Sequence, residues 1–151
     1  MTVSPEFVGR SYPPTAPYEV CREKIREFAD AIGDPNPAFR DPQSARDLGH
    51  LDVIAPPTFP VIVSFLATRG VIEDPDLGID YSRVVHGEQR FSYTRPVRAG
   101  DRLVGVASVT SVRRAAGNDL ISTGVEVSTA EGEPVVTVHS TIVVRGIAQE
   151  R

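Results

Sequence analysis

The sequence predicts an α+β fold in which an antiparallel β-sheet wraps around a central buried α-helix. Three features carry this prediction: an amphipathic stretch at residues 18–32, a stretch apolar nearly all round at 59–70, and four long β-rich runs filling the second half. One buried helix followed by long antiparallel strands is the order expected when a curved sheet closes over a helix.

The elements follow in chain order. Residues 1–17, with "SYPPTAP", read as an extended lead-in. From Tyr18 to Ile32 the apolar positions Cys21, Ile25, Phe28 and Ile32 recur at intervals of four and three, the spacing of one helical face. This helix must stop at "GDPNP", because Gly33 is a natural terminator and proline disfavours helix in the residue before it. "PQSARDLGH" (42–50) reads as a short helix closed by Gly49, and "LDVIAPPT" as a loop. "FPVIVSFLATRG" (59–70) reads as a helix buried on all sides, with Pro57 and Pro60 at its tolerant start, Thr58 as cap and Gly70 as end. The runs 83–97, 101–114, 119–130 and 134–146 are separated by "RAGD", "AAGND" and "EGE" turns and predict an antiparallel meander.

At 151 residues and 40% apolar composition the chain is expected to form a single domain over 1–151 with a real core. The single Cys21 excludes an intrachain disulfide and a cysteine-based zinc cluster, so a reducing, cytoplasmic setting is the expectation. The first residues lack a basic patch followed by an apolar core, and the apolar run at 59–67 is too short to span a bilayer, so no membrane partner is expected. A net charge of −4 argues against nucleic acid. The charge is uneven: −6 over residues 1–82, +5 over 83–114 and −3 over 115–151. The basic block, all arginine, is either a set of solvated strand faces or a surface suited to a phosphorylated or acidic partner.

The stretch "AIGDPNPAFRD" (31–41) crowds Asp34, Asn36 and two prolines into the end of a helix. Asp-Pro and Asn-Pro form turns, so the segment is either a simple redirection of the chain or a loop that holds polar groups still for chemistry. Three histidines are scattered at 50, 86 and 139 without the short spacings of metal ligands, so no metal is expected. His86, in "VVHGEQ" beside Gly87, is the one placed where a ligand can approach; the other reading is an ordinary hydrogen-bonded strand histidine.

"GDPNPAF", the proline-rich approach to an apolar helix, and "VVHGEQRFSYTRPVRAGD" together resemble the MaoC-like hydratases and dehydratases, nearest to the small actinobacterial subunits of the HadA and HadC kind. The likeness runs from "FVGRSYPP" to the last strand. It implies a hotdog fold of the FAS1-type dehydratase sort, dimerisation through the sheets, and acyl thioesters on a pantetheine arm of acyl-carrier protein or coenzyme A, with no cofactor. The resembling loop reads G-D-x-N-P-x-H. Gly33, Asp34, Asn36 and Pro37 match it, while Phe39 stands at the position of its catalytic histidine. A phenyl ring cannot accept a proton, so Asp34 would need another partner, for which His86 is the candidate. Phe39 either lines an acyl tunnel or packs in the core.

The resemblance further implies an electrophilic site of main-chain amides at the head of the central helix. Here the prolines remove donors, leaving Thr58 and Phe59 as candidate amides. Asn36, Phe39, Thr58 and Phe59 are thus the expected substrate-binding residues, and Asp34 with His86 the expected catalytic ones. Two departures at separate catalytic elements favour a subunit of a (3R)-hydroxyacyl-thioester dehydratase paired with a catalytic partner of the same fold. The alternatives are an active homodimer using Asp34 and His86, and a non-enzymatic acyl-thioester binding module.

Overall fold

The computed structural model describes residues 3–146. Its core element is α3 (Val61–Ile72), packed across a five-stranded antiparallel sheet. The strands are β1 (Tyr18–Glu19), β2 (Val84–Tyr93), β3 (Arg102–Ala115), β4 (Asn118–Thr129) and β5 (Pro134–Val144), in spatial order β1-β3-β4-β5-β2. Two further helices, α1 (Arg22–Ala31) and α2 (Pro42–Asp47), precede α3. This is the predicted curled sheet around a helix.

The helix seats on the sheet because β3 presents small residues beneath it. Gly105 and Ala107 lie on its inward face, and a Cβ added at Gly105 would sit 3.0 Å from Val63 Cγ1 and 3.2 Å from the Ala67 methyl. Contacts that close would force the helix off the strand. Flanking them, Leu103, Val109, Ile121, Val125 and Val138 are all 1% exposed or less and continue the core along the same face.

The expected meander is only partly present. β3, β4 and β5 are joined in sequence, but β2 pairs with β5 rather than with its chain neighbour β3. The reason lies in residues 94–101, which cross the end of the sheet instead of making a tight turn. Arg95 fixes that crossing, its guanidinium donating to Asp101 at 2.9 and 3.0 Å and to Glu133 at 2.8 Å. Ala55 N–H donates to Val97 O at 2.7 Å and so ties the crossing to the approach of α3.

Three helix boundaries also differ from expectation. Tyr18 and Glu19 form β1 against Leu103 and Arg102, so α1 begins only at Arg22, with Cys21 extended before it. On α1, Ile25 and Ala29 are fully buried while Ile32 is half exposed. α3 starts after Pro60 with no side-chain cap, so Thr58 does not cap it. Gly70 does not end α3 either: the Tyr12 ring lies over it, with Cδ1 3.1 Å from where a Cβ would be. Burial on all sides is likewise not found, since Phe65 and Leu66 are 61% and 50% exposed.

The two sheet edges differ. Gly9, Tyr12 and Thr15 donate to Val109, Ala107 and Gly105 carbonyls at 2.8–3.0 Å, so the N-terminal segment covers the outer edge of β3. Arg10 and Tyr12 anchor that segment to Asp74, just past α3, each at 2.8 Å. β2 forms the opposite edge, on which no other strand pairs among the described residues, and Val85 there is 41% exposed.

Candidate functional site

The loop after α1 is built by its own polar groups. Gly33 takes a left-handed conformation (φ 71°), which a side chain would resist, and its N–H returns to Asp30 O at 3.1 Å. Asp34 Oδ1 accepts from Asn36 N–H at 3.0 Å, and Asn36 Oδ1 accepts from Ala38 N–H at 3.0 Å, capping a short 3-10 turn at Pro37–Phe39. Arg40 donates to the Asp34 carbonyl at 2.7 Å and closes the loop from the far side. Asp34 is half-buried, Asn36 exposed, and Phe39 only 5% exposed as part of the main core. Phe39 thus packs in the core, and it is not among the residues that line the cavity described below.

At the head of α3 the amides are unequally free. Phe59 N–H already donates to Pro56 O at 2.9 Å, and its ring, fully buried, meets Phe28 edge-on at 5.3 Å and Tyr18 at 6.5 Å. Phe59 is therefore a core anchor. Thr58 is exposed; its carbonyl accepts from Val61 at 3.1 Å, while its own N–H has no partner among the described residues. Pro57 O accepts from the Tyr93 hydroxyl at 2.6 Å. Burial pushes that hydroxyl's pKa well above the ordinary tyrosine value, so it stays a donor and fixes the turn.

A cavity of about 790 Å³ opens between α3 and the inward faces of β2, β5 and β4. Phe65, Val84 and Ile142 supply apolar walls, Tyr81 and Arg69 stand among its lining, and His86, Ser64, Thr123 and Ser140 add polar groups. This is the size of a small-molecule site. His86 thus reaches a cavity, but Asp34 is not among the residues lining it and shares no hydrogen bond or ion pair with His86. Sequence reasoning missed the three hydroxyls. Two of them had a signal, Thr123 and Ser140 interrupting aliphatic alternations in "LISTGVEV" and "VTVHSTIV".

The basic block of 83–114 is partly neutralised, by Asp101 within it and by Glu131 and Glu133 beyond it. Arg95 is engaged by Asp101 and Glu133, and Arg102 lies 3.9 Å from Glu131. Arg83 donates to the Arg145 carbonyl. Among the described residues no three His, Cys, Asp or Glu side chains are grouped to hold a metal, and no helix is long and apolar enough to cross a membrane.

Known proteins match this architecture. A UPF0336 protein of Streptomyces avermitilis is 57% identical over 145 residues, spanning 96% of this chain and 97% of that protein. Another from Saccharopolyspora erythraea is 54% identical over 150 residues, 99% and 96% of the two chains. Among solved structures, a MaoC-like dehydratase superposes with a TM-score of 0.86 at 38% identity, over 93% of this chain but 43% of that longer one. The HadBC (3R-hydroxyacyl-ACP dehydratase) complex from Mycobacterium tuberculosis gives 0.81 at 32% identity, covering 91% and 96%. The fold is thus the hotdog fold of these dehydratases. The family described as the FAS1-like dehydratase domain region matches residues 6–138, and the chain belongs to it.

Proposed function

We propose that this chain is one subunit of a (3R)-hydroxyacyl-thioester dehydratase or hydratase, contributing the acyl-chain pocket while a partner of the same fold supplies the proton-transfer residues. The observation that carries this reading is Phe39, buried in the core at the place where the resembling loop has its histidine. Asp34 is left with a backbone amide for company and no imidazole beside it. A dehydration needs one group to handle the proton next to the thioester and another for the hydroxyl that leaves, and this loop offers only one.

Two features support a partner. The open β2 edge leaves a row of main-chain groups unpaired, and Phe65 and Leu66 project from α3 instead of being covered. A second hotdog chain adding its own edge strand covers both. The matched HadBC structure is a complex, and the matched MaoC-like dehydratase chain has more than the length of this chain again. The substrate is an acyl thioester on carrier protein or coenzyme A, used in cytoplasmic fatty-acid metabolism. Thr58 N–H is the amide left free to polarise its carbonyl.

The test is hydration of a crotonyl thioester by the purified chain, alone and co-expressed with a hotdog chain that carries an intact Asp and His loop. Little turnover alone and clear turnover of the pair is expected; fast turnover by the chain alone defeats the partner requirement. The position of His86 at the cavity favours one second reading, an active homodimer in which Asp34 works with His86. There, His86→Ala abolishes activity, whereas an unchanged rate removes His86 from the chemistry.

A further inference from the structure

The inward face of the sheet carries a rung of uncharged polar groups between an apolar one and one that is apolar except for His86. Strand register places Ala107, Val125, Val138 and Phe91 side by side across β3, β4, β5 and β2. One step along, the partners are Val109, Thr123, Ser140 and Gln89; a further step brings Ile121, Ile142 and His86. Residues two apart on a strand share a face, so Thr123, Ser140 and Gln89 point the same way as the buried Val125, Val138 and half-buried Phe91. That face is the one α3 covers; Thr123 and Ser140 line the cavity directly, and Gln89, paired with Ser140 in register, stands next to the lining without being part of it. Ser64 lines it from the helix side.

These groups have hydrogen-bonding capacity that the protein does not use. Ser64 is 1% exposed and Thr123 6% exposed, and neither hydroxyl, nor that of Ser140, finds a partner among the described residues. Gln89 Nε2 is the one fully buried side-chain nitrogen or oxygen without a partner among them. Nearly all buried polar groups in folded proteins are paired, so the orphaned Gln89 Nε2 needs a reason, while the three hydroxyls beside it face the cavity, where only water or a ligand can meet them. Packing is not that reason, since Val, Ala and Leu would fill the same space at lower cost. Helical serines and threonines commonly bond back to a carbonyl one turn earlier, as Thr68 does to Ser64 O at 2.8 Å, yet Ser64 itself does not.

We propose that the rung of Gln89, Ser140 and Thr123, with Ser64 opposite, is a hydrogen-bonding subsite of the cavity that selects acyl chains bearing an oxygen function over plain hydrocarbon chains. The inference rests on the acyl-thioester reading above and specifies its substrate. A saturated chain laid along the rung would strip it of water and leave its donors and acceptors unmatched. A chain carrying a hydroxyl, keto or ether oxygen at that depth meets them: Ser and Thr hydroxyls donate or accept, and the Gln89 carboxamide donates through Nε2 after rotating about its soft terminal torsion. The apolar walls of Phe65, Val84 and Ile142 hold the remaining methylenes, so both halves of such a ligand are accommodated.

Titration of the purified chain with octanoyl-CoA and ω-hydroxyoctanoyl-CoA tests this, with Kd measured by calorimetry and the Gln89 side-chain amide followed by ¹⁵N NMR. The hydroxylated ester is expected to bind about tenfold more tightly and to shift the Gln89 amide resonance. Thr123→Val with Ser140→Ala should erase the preference while leaving octanoyl-CoA binding equal or stronger; Gln89→Leu provides a second variant with the same expected loss. Equal binding of the two esters, tighter binding of octanoyl-CoA, or a preference that survives these substitutions overturns the proposal and leaves the acyl-thioester reading intact. If neither ester binds, that reading fails, and free octanediol judges the rung by itself: a Gln89 amide shift that the Thr123→Val, Ser140→Ala variant lacks upholds the subsite, and its absence removes it.

Discussion

Two polar clusters of this molecule make opposite use of their hydrogen-bonding groups. In the loop after α1, Asp34 and Asn36 each hold a backbone amide two residues ahead, and Arg40 closes the turn. On the sheet, Thr123, Ser140 and Gln89 stand in register beside a cavity and hold nothing. The loop carries the family likeness, yet its side chains are occupied in building the loop. The rung carries no recognisable motif, yet its groups remain available. A motif shows descent; free hydrogen-bonding capacity facing open space shows where a ligand can be met.

Substitutions sharpen that contrast. The largest effect belongs to the loop's apolar anchor: Phe39→Ala is expected to lower stability by about 3–5 kcal/mol in urea denaturation, the usual result of emptying a core aromatic site. Phe39→His restores the residue type of the resembling loop, but at a buried position. It should destabilise by about 1–3 kcal/mol and bring no hydratase activity to the chain alone. Should crotonyl-thioester turnover appear instead, the loop is a catalytic site lacking one residue and not a structural remnant.

Next in size, Asn36→Ala removes the cap of the 3-10 turn and is expected to cost about 1 kcal/mol, read as a lower urea midpoint at unchanged slope. A third cluster, also engaged, responds to pH. Burial and the hydrogen bond to Asp74 push the Tyr12 hydroxyl from 10.0 up to about 12. Its neutral form is favoured in the folded chain, so its contribution is complete below pH 10 and is lost as pH rises to about 12. Asp74 is the mirror case: hydrogen bonds from Arg10 and Tyr12 hold its carboxyl below 3.8. Its contribution is present above that value and fades as pH falls through the lowered one. Melting temperatures across both limits check the pair, and Tyr12→Phe should flatten the alkaline limb.

The smallest effect is expected on the rung. Thr123→Val should leave the stability of the free protein within about 0.5 kcal/mol of the original, or raise it, because it removes a hydroxyl that bonds nothing. A loss of several kcal/mol there would mean that the hydroxyl is structural and that the contrast between the two clusters does not hold.

The fold was legible in the sequence where periodicity reports directly on burial. Ile25 at its helical spacing, the aliphatic alternations of β3 to β5, and the apolar run of α3 all gave the right elements. What periodicity cannot report is which strand lies next to which. Arg95 holds the crossing between β2 and β3 through Asp101 and Glu133, and its pairing with Glu133, 38 residues on, has no local signature. The start of α1 was misplaced for a similar reason: Tyr18 and Glu19 have helical spacing, but hydrogen bonds between Val20, Gly100 and Asp101 draw the segment onto β3.

The candidate site was less legible. Gly33, Asp34, Asn36 and Pro37 could be matched to a loop, but the burial of Phe39 and Phe59 in the core and the engagement of Phe59 N–H arise only from tertiary packing. The charge of the 83–114 block likewise lost part of its meaning once Glu131 and Glu133 folded beside it.

The pairing of β2 with β5 sets the order in which the chain can complete itself. β2 ends at Tyr93, but the strand that receives it begins at Pro134, so on a ribosome β2 emerges early and has no neighbour until the last strand follows. Until then its main-chain groups and the flank of α3 stay accessible to any other edge strand, including one from a nascent partner subunit. Assembly with a second chain is thus in kinetic competition with the closing of this one. Such non-local pairing also predicts slow folding relative to a simple meander of equal length.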